Sequence, residues 1–251
     1  MNELGLTMGQ EAYAHALAEQ DREREFTLLE RQWTQLGGVL GGEYNYATGF
    51  FASSLPREGV GSMLEMGCGC GVASVVAALE GVPRVTALDI NPAAVRTTEL
   101  NAARHRVADR VTALVSDLFD ALEAERTFDL IFWNSPFIEA PSEQRHDSDL
   151  AYHFFDPGYA MHRRFLTEAA GRLSPGGRLF LGFSFAMGSA ERLREVAAQA
   201  GFEVRVHRQE SFGVSASELG SSPVYAAHAD EASQVHIDFS LLELTRAEPV
   251  R

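Results

Sequence analysis

A chain of 251 residues with 45% hydrophobic content can bury one full core, and single α/β domains reach this size. A formal net charge of −14 repels nucleic-acid phosphates, and without a basic stripe or base-reading module the sequence argues against a nucleic-acid partner. Two cysteines, Cys68 and Cys70, supply neither a disulfide framework nor a zinc set, residues 1–20 lack the pattern of a secretion signal, and no run is long enough to span a bilayer, so the expected compartment is the cytoplasm, away from membranes.

Tyr13, Leu17, Phe26, Leu29, Trp33 and Leu36 recur near helical spacing, which predicts one long helix or two over residues 9–36, ending at Gly37-Gly38. Gly41-Gly42 then opens a loop, Glu43 to Phe51, whose Tyr44, Tyr46 and Thr48 either line a substrate chamber or pack the segment onto the domain. The first 55 residues are thus read as an N-terminal helical cap, whose apolar face covers its own cleft or pairs with a second copy in a homodimer. Within 56–251 the alternation is regular: strand 63–66, helix 72–80, strand 84–89, helix 92–105, and strands 111–116 and 128–133. A helix at 159–173, the turn Ser174-Pro175-Gly176-Gly177, strand 178–184, helix 190–200 and strands 202–208 and 235–245 follow, the last two as an antiparallel finish. Ser211 to Ser233, polar and rich in small residues, is expected to be a mobile loop. The predicted fold class is α/β, a Rossmann-like, mostly parallel sheet with an antiparallel C-terminal strand.

The first strand runs into Leu64-Glu65-Met66-Gly67-Cys68-Gly69-Cys70-Gly71, a glycine at every second position just before a helical pattern. Gly67, Gly69 and Gly71 let the backbone turn sharply and approach a ligand, while the helix start offers free N–H groups. A dinucleotide fingerprint would place its third glycine at position 72, which is Val72. Glu65 precedes the first glycine by two residues, where a carboxylate organises the loop and faces a cationic ligand. The second strand ends in Asp89, followed by Ile90, and a carboxylate at that tip can take both hydroxyls of a ribose. The third ends in Asp117, followed by Leu118, where the acid is either an adenine contact or a helix cap. Three acid-tipped strands in register point to S-adenosylmethionine. Cys68 and Cys70 read as small residues tolerated beside it.

Residues 60–185 resemble the core of class I S-adenosylmethionine-dependent methyltransferases. Phe128-Asp129-Leu130-Ile131-Phe132-Trp133-Asn134-Ser135-Pro136-Phe137 is similar to the fourth strand and Asn-Pro-Pro-Tyr motif of one branch, and Ser116-Asp117-Leu118-Phe119 is similar to the release-factor glutamine methyltransferases. Ser135 stands in place of the first proline and Phe137 in place of the tyrosine. The resemblance implies that Asn134, also at the cofactor, and the carbonyl of Ser135 accept hydrogen bonds from a substrate nitrogen beside the Phe137 ring. A serine keeps that carbonyl but frees a backbone that proline would fix. Phe132 or Trp133 can add an aromatic face for charge developing on nitrogen.

The segment from Ile138 to Tyr159 has no clean period and leaves the C-terminal end of a strand, which places it on the active-site side as part of a lid. Tyr152 and His153 are candidates for the substrate chamber, and His146, His153 and Asp156 can serve as a base or hold an amine. Methyl transfer needs no metal, and none is expected. The expected reaction is methylation of a nitrogen on a small amino-containing molecule, a small-molecule substrate, because the N-terminal segment is short for a docking domain. An alternative keeps the fold but lets the cofactor's own amine attack the γ-carbon of its methionine part, giving azetidine-2-carboxylate and methylthioadenosine, as in similar enzymes of nonribosomal peptide pathways. A third reading is a cofactor-binding regulatory protein without turnover.

Overall fold

The computed structural model describes residues 2–40 and 45–247. The chain opens with helix α1 (Glu3–Ala18), capped by the Asn2 side chain, which accepts a hydrogen bond from the Gly5 amide. The helix predicted to continue to residue 36 does not: β1 (Arg24–Leu28) and β2 (Arg31–Gln35) form an antiparallel hairpin. Phe26 and Leu28 on one strand and Trp33 and Gln35 on the other share one face at a period of two, the strand period. Leu29 and Glu30 turn the chain at φ 51° and 57°, both left-handed, a type I′ geometry that sequence usually announces with Asn-Gly. With that signal missing, the spacing of apolar residues looked helical.

Helix α2 (Asn45–Ser54) stands where a loop was expected, because Ala47, Phe51 and Leu55 recur at helical spacing and Phe51 is buried. Tyr44 lies outside the described residues. Beyond it come β3 (Met63–Met66), α3 (Val72–Leu79), β4 (Val85–Asp89), α4 (Pro92–Arg104), β5 (Val111–Val115) and β6 (Phe128–Asn134), close to the predicted spans. The lid segment holds β7 (Ile138–Ala140), α5 (Ala151–Phe154) and β8 (Phe155–Pro157), with β7 and β8 paired in parallel. Helix α6 (Ala160–Ala169), β9 (Leu173–Phe183), α7 (Ala190–Gln199) and β10 (Phe202–Ser215) lead to short helices α8 (Ala216–Leu219) and α9 (Pro223–Ala227) and the last strand, β11 (Gln234–Arg246). Two expectations change here. The Ser174-to-Gly177 turn is a bulge inside β9, where pairing jumps from Phe128–Leu173 to Leu130–Arg178, and the stretch expected as a mobile loop from Ser211 holds the end of β10 and both short helices.

Seven strands lie in the order β10-β11-β9-β6-β3-β4-β5, all parallel except β11, which pairs antiparallel with both β9 and β10. Alternate residues serve two cores: Leu130 and Phe132 pack with α2, α3 and α4, while Ile131 and Trp133 pack with α6 and α7. Both faces are covered, so β3 is buried at every residue, and a ligand can reach the sheet only at the strand ends.

Candidate active site

The loop after β3 takes left-handed φ at Gly67 (61°), Gly69 (51°) and Gly71 (72°). A Cβ at Gly71 would fall 2.7 Å from the Thr98 side chain, and one at Gly67 3.2 Å from the Trp133 ring, so both conformation and space require glycine there. Glu65 is buried and its Oε2 accepts from the Ser74 amide at 2.8 Å and the Ser74 hydroxyl at 2.5 Å, capping α3 from the strand beside it. Burial pushes its carboxyl up to about 7, and the nearby Asp89 adds to the shift while the Ser74 bonds oppose it. Asp89, also buried, accepts from the Gly69 amide on Oδ2 and the Asn91 amide on Oδ1, both at 2.9 Å. The same desolvation and the two carboxylates hold the Cys68 thiol well above its ordinary range, which makes it inert rather than nucleophilic.

Two cavities meet over this loop. The larger, about 370 Å³, reaches Glu65, Tyr46, Thr48, Ser135 and Phe137, and the smaller, about 70 Å³, reaches Asp89, Ile90, Asp117, Leu118 and Tyr152. Gly67, Asn134 and His153 line both. Such a seam suits a two-part ligand, a nucleoside on the Asp89 side and a charged amino-acid part on the Glu65 side. The residues present fit S-adenosylmethionine in one further respect: the His153 Nε2, on the seam of the two cavities, is buried with no hydrogen-bond partner, a polar atom that a bound molecule can satisfy, and the Asn134 Oδ1 is likewise buried and unpartnered. Asp117 begins no helix and instead holds Arg164, with both oxygens 3.1 Å from Nη1.

Residues after Asn134 are fixed from the side. The Ser135 hydroxyl lies 2.9 Å from the Gly182 carbonyl of β9 and 3.0 Å from His162 Nε2, and His162 Nδ1 lies 2.6 Å from Asp156 Oδ2. Asp156, a candidate base from its place in the sequence, is fully buried and caps α6 by accepting from the Met161 and His162 amides, each at 2.9 Å, so it faces no substrate. Tyr159 donates to the Phe137 carbonyl at 2.6 Å and accepts from the Ser189 amide at 3.0 Å. His146 packs on the Tyr152 ring with centroids 4.0 Å apart and lines neither cavity. Among the described residues no cluster of His, Cys, Asp or Glu converges as a metal site.

The far wall of the larger cavity comes from places that sequence reasoning passed over. Met8, Gly9 and Ala12 of α1 lie across it, and Phe212, Ile237 and Phe239 reach it from the tips of β10 and β11. A Cβ at Gly5 would meet the Met187 carbonyl at 1.9 Å and one at Gly9 the Ile138 side chain at 2.3 Å, so glycines four apart bring α1 down onto the segment after β9 and onto the start of the lid. That spacing, and the alternation of Ile237 and Phe239, were the available signals. Tyr46 joins the Phe212 and Phe239 rings and donates to Glu210 Oε2 at 2.8 Å.

Comparison with known proteins agrees with this layout. The family model of the methyltransferase small domain matches residues 32–212. The chain is 36% identical over 132 residues to the release factor glutamine methyltransferase of Rhodopirellula baltica, an alignment covering 49% of this chain and 44% of that protein. With the ribosomal protein uL3 glutamine methyltransferase of Bordetella pertussis it is 34% identical over 125 residues, covering 47% and 42%. The chain thus spans about half the length of the curated relatives it matches. Among solved structures, a 16S rRNA methyltransferase of T. thermophilus in complex with AdoMet and guanosine shares the fold at TM-score 0.51 and 20% identity, over 90% of this chain and 50% of that one. Both relatives are named for a glutamine in a protein, which overturns the small-molecule acceptor expected above and gives the azetidine-forming alternative no support. A carboxamide nitrogen and a small amine offer the motif the same N–H donors, so the motif alone could not separate them. With nearly the whole sheet inside the matched region, this chain belongs to the methyltransferase small domain family.

Proposed function

We propose that this chain methylates the side-chain amide nitrogen of a glutamine in a protein. The observation that carries the reading is the buried, partnerless Asn134 Oδ1 on the seam between the two cavities, an acceptor waiting for an N–H donor. The names of the two glutamine methyltransferases to which about half of the chain is 34% and 36% identical support the same substrate.

An amide nitrogen is a poor nucleophile, so the chain has to position it. A glutamine carboxamide carries two N–H groups. One can donate to Asn134 Oδ1 and the other to the carbonyl of Ser135, which turns the face of the nitrogen toward the seam. S-adenosylmethionine, when bound, supplies an electrophilic methyl on a sulfonium. The two acceptors gain strength as positive charge develops on nitrogen, and the Phe137 ring beside them offers its face to that charge. Glu65 and Asp89 would hold the donor's cationic and ribose parts, and Ile138, Phe154, Phe212 and Phe239 keep the chamber apolar and poor in water.

The test incubates the full chain with S-adenosylmethionine and, separately, a release factor and ribosomal protein uL3, and locates the added methyl by peptide mass spectrometry. A methylated glutamine with stoichiometric S-adenosylhomocysteine is the expected result. Failure to modify either protein, or methylthioadenosine formed with no acceptor present, overturns the reading.

A further inference from the structure

The Ser135, His162 and Asp156 side chains are 4%, 0% and 0% exposed and joined end to end at 3.0 and 2.6 Å, and the imidazole in the middle packs on the Trp133 and Tyr159 rings, whose centroids lie 4.9 and 4.6 Å from its own. Burying three polar groups in an apolar core is costly unless each is bonded and the chain has a purpose. Capping α6 accounts for Asp156 alone, through the Met161 and His162 amides, and calls for neither the imidazole nor the hydroxyl. The residue types are those of a hydrolytic triad, but the hydroxyl is tied to the Gly182 carbonyl at 2.9 Å, on the strand that pairs with β6 through Asn134.

The end of this chain is the residue whose carbonyl the proposed reaction needs. In the motif this sequence resembles, that residue is a proline, whose ring fixes φ near −65°. We propose that the Asp156–His162–Ser135 chain is a positioning device that takes over the work of that missing ring: it clamps the Ser135 side chain between α6 and β9, and thereby holds the Ser135 carbonyl and Asn134 in place for the substrate nitrogen. His162 and Asp156 are positioning residues, acting through Ser135 without reaching the cavity, which neither of them lines. Gly182 completes the arrangement, since a Cβ there would stand 3.0 Å from Asn134 Oδ1.

The inference rests on the glutamine reading for its kinetic readout, so a second readout is independent of substrate. Four variants of the full chain, Ser135→Ala, Ser135→Pro, His162→Gln and Ser135→Ala with His162→Gln, and a fifth, Ser135→Pro with His162→Gln, are assayed for kcat with the protein acceptor. Affinity for S-adenosylmethionine, Tm and hydrogen exchange of the 134–138 peptide are measured alongside. In the serine background, His162→Gln is expected to lower kcat roughly 10- to 100-fold with KM for the acceptor and donor affinity within about threefold, and to speed exchange of that peptide. Ser135→Ala should do the same, and the Ala/Gln double variant no more than either alone. In the proline background, whatever its own rate, adding His162→Gln should change kcat and exchange less than about twofold. Equal losses from His162→Gln in both backgrounds, additive losses in the Ala/Gln pair, or no loss at all overturn the device. If the proline variant does not fold, the Ala/Gln cycle decides. An unmutated chain that methylates no glutamine defeats the substrate reading instead, and exchange of the 134–138 peptide then tests the device by itself.

Discussion

The two walls of the cleft contrast in origin and in chemistry. Glu65, Asp89 and Asp117 stand at or just past the ends of β3, β4 and β5, and the two buried carboxylates are fixed by hydrogen bonds from neighbouring backbone amides. The facing wall draws Met8, Tyr46, Phe154, Phe212 and Phe239 from five separate elements and holds them by ring contacts and apolar packing. A wall made from consecutive strand ends cannot vary without breaking the sheet, whereas one made from covering segments can. The contrast separates a wall set by the fold from a wall free to vary, and under the proposed function the second is the one that selects the acceptor.

The most severe way to break this contrast is at the seam. Asn134→Ala should lower kcat about 100- to 1,000-fold while the Kd for S-adenosylmethionine stays within about threefold, read by turnover assay and calorimetry. A comparable loss in Kd would move Asn134 to the donor wall. On that wall, Asp89→Ala removes both the proposed ribose acceptor and the partner of the Gly69 amide, and should weaken donor binding by about 30-fold, ~2 kcal/mol.

Changes on the covering wall should spare the donor. Gly5→Val drives a Cβ into the Met187 carbonyl and lifts α1, so Tm should fall with a loss of ~1–3 kcal/mol and KM for the protein acceptor should change, while donor Kd does not. A sharper probe of the donor side is pH. The Glu65 carboxyl is raised from an ordinary 4.5 to about 7 chiefly by burial, so the stability it contributes is complete below pH 4.5 and is lost as pH rises through about 7. A cationic donor favours the carboxylate, so binding should release a proton, and affinity should climb by up to about tenfold toward pH 7 and then level off. Glu65→Gln should flatten that profile in calorimetry across pH. The smallest effect is expected from Asp117→Ala, whose half-exposed pair with Arg164 should contribute less than ~0.5 kcal/mol in denaturant unfolding.

Legibility followed the same divide. The β3–α3–β4 run was readable because parallel strands buried on both faces are continuous apolar runs, and because alternate glycines before a helix have few other uses. The hairpin was hidden because Leu29 and Glu30 adopt a turn that neither residue favours, held there by the buried Trp33, whose Nε1 donates to the Leu28 carbonyl at 2.9 Å, and by Asn101 of α4, which bonds both the amide and the carbonyl of Thr34. The tip of β10 was hidden because its partner, β11, lies beyond two short helices.

By itself the sequence determined the parallel sheet, the glycine loop, the acid-tipped strands and the motif at Asn134, since each depends on neighbours a few residues away. Tertiary structure alone decided which segments roof the chamber, that His162 and Asp156 reach Ser135, and that Asn134 and His153 share a seam between two cavities. Those facts come from contacts between residues far apart in the chain, where local periodicity and turn chemistry carry no information and packing of the folded core makes the choice.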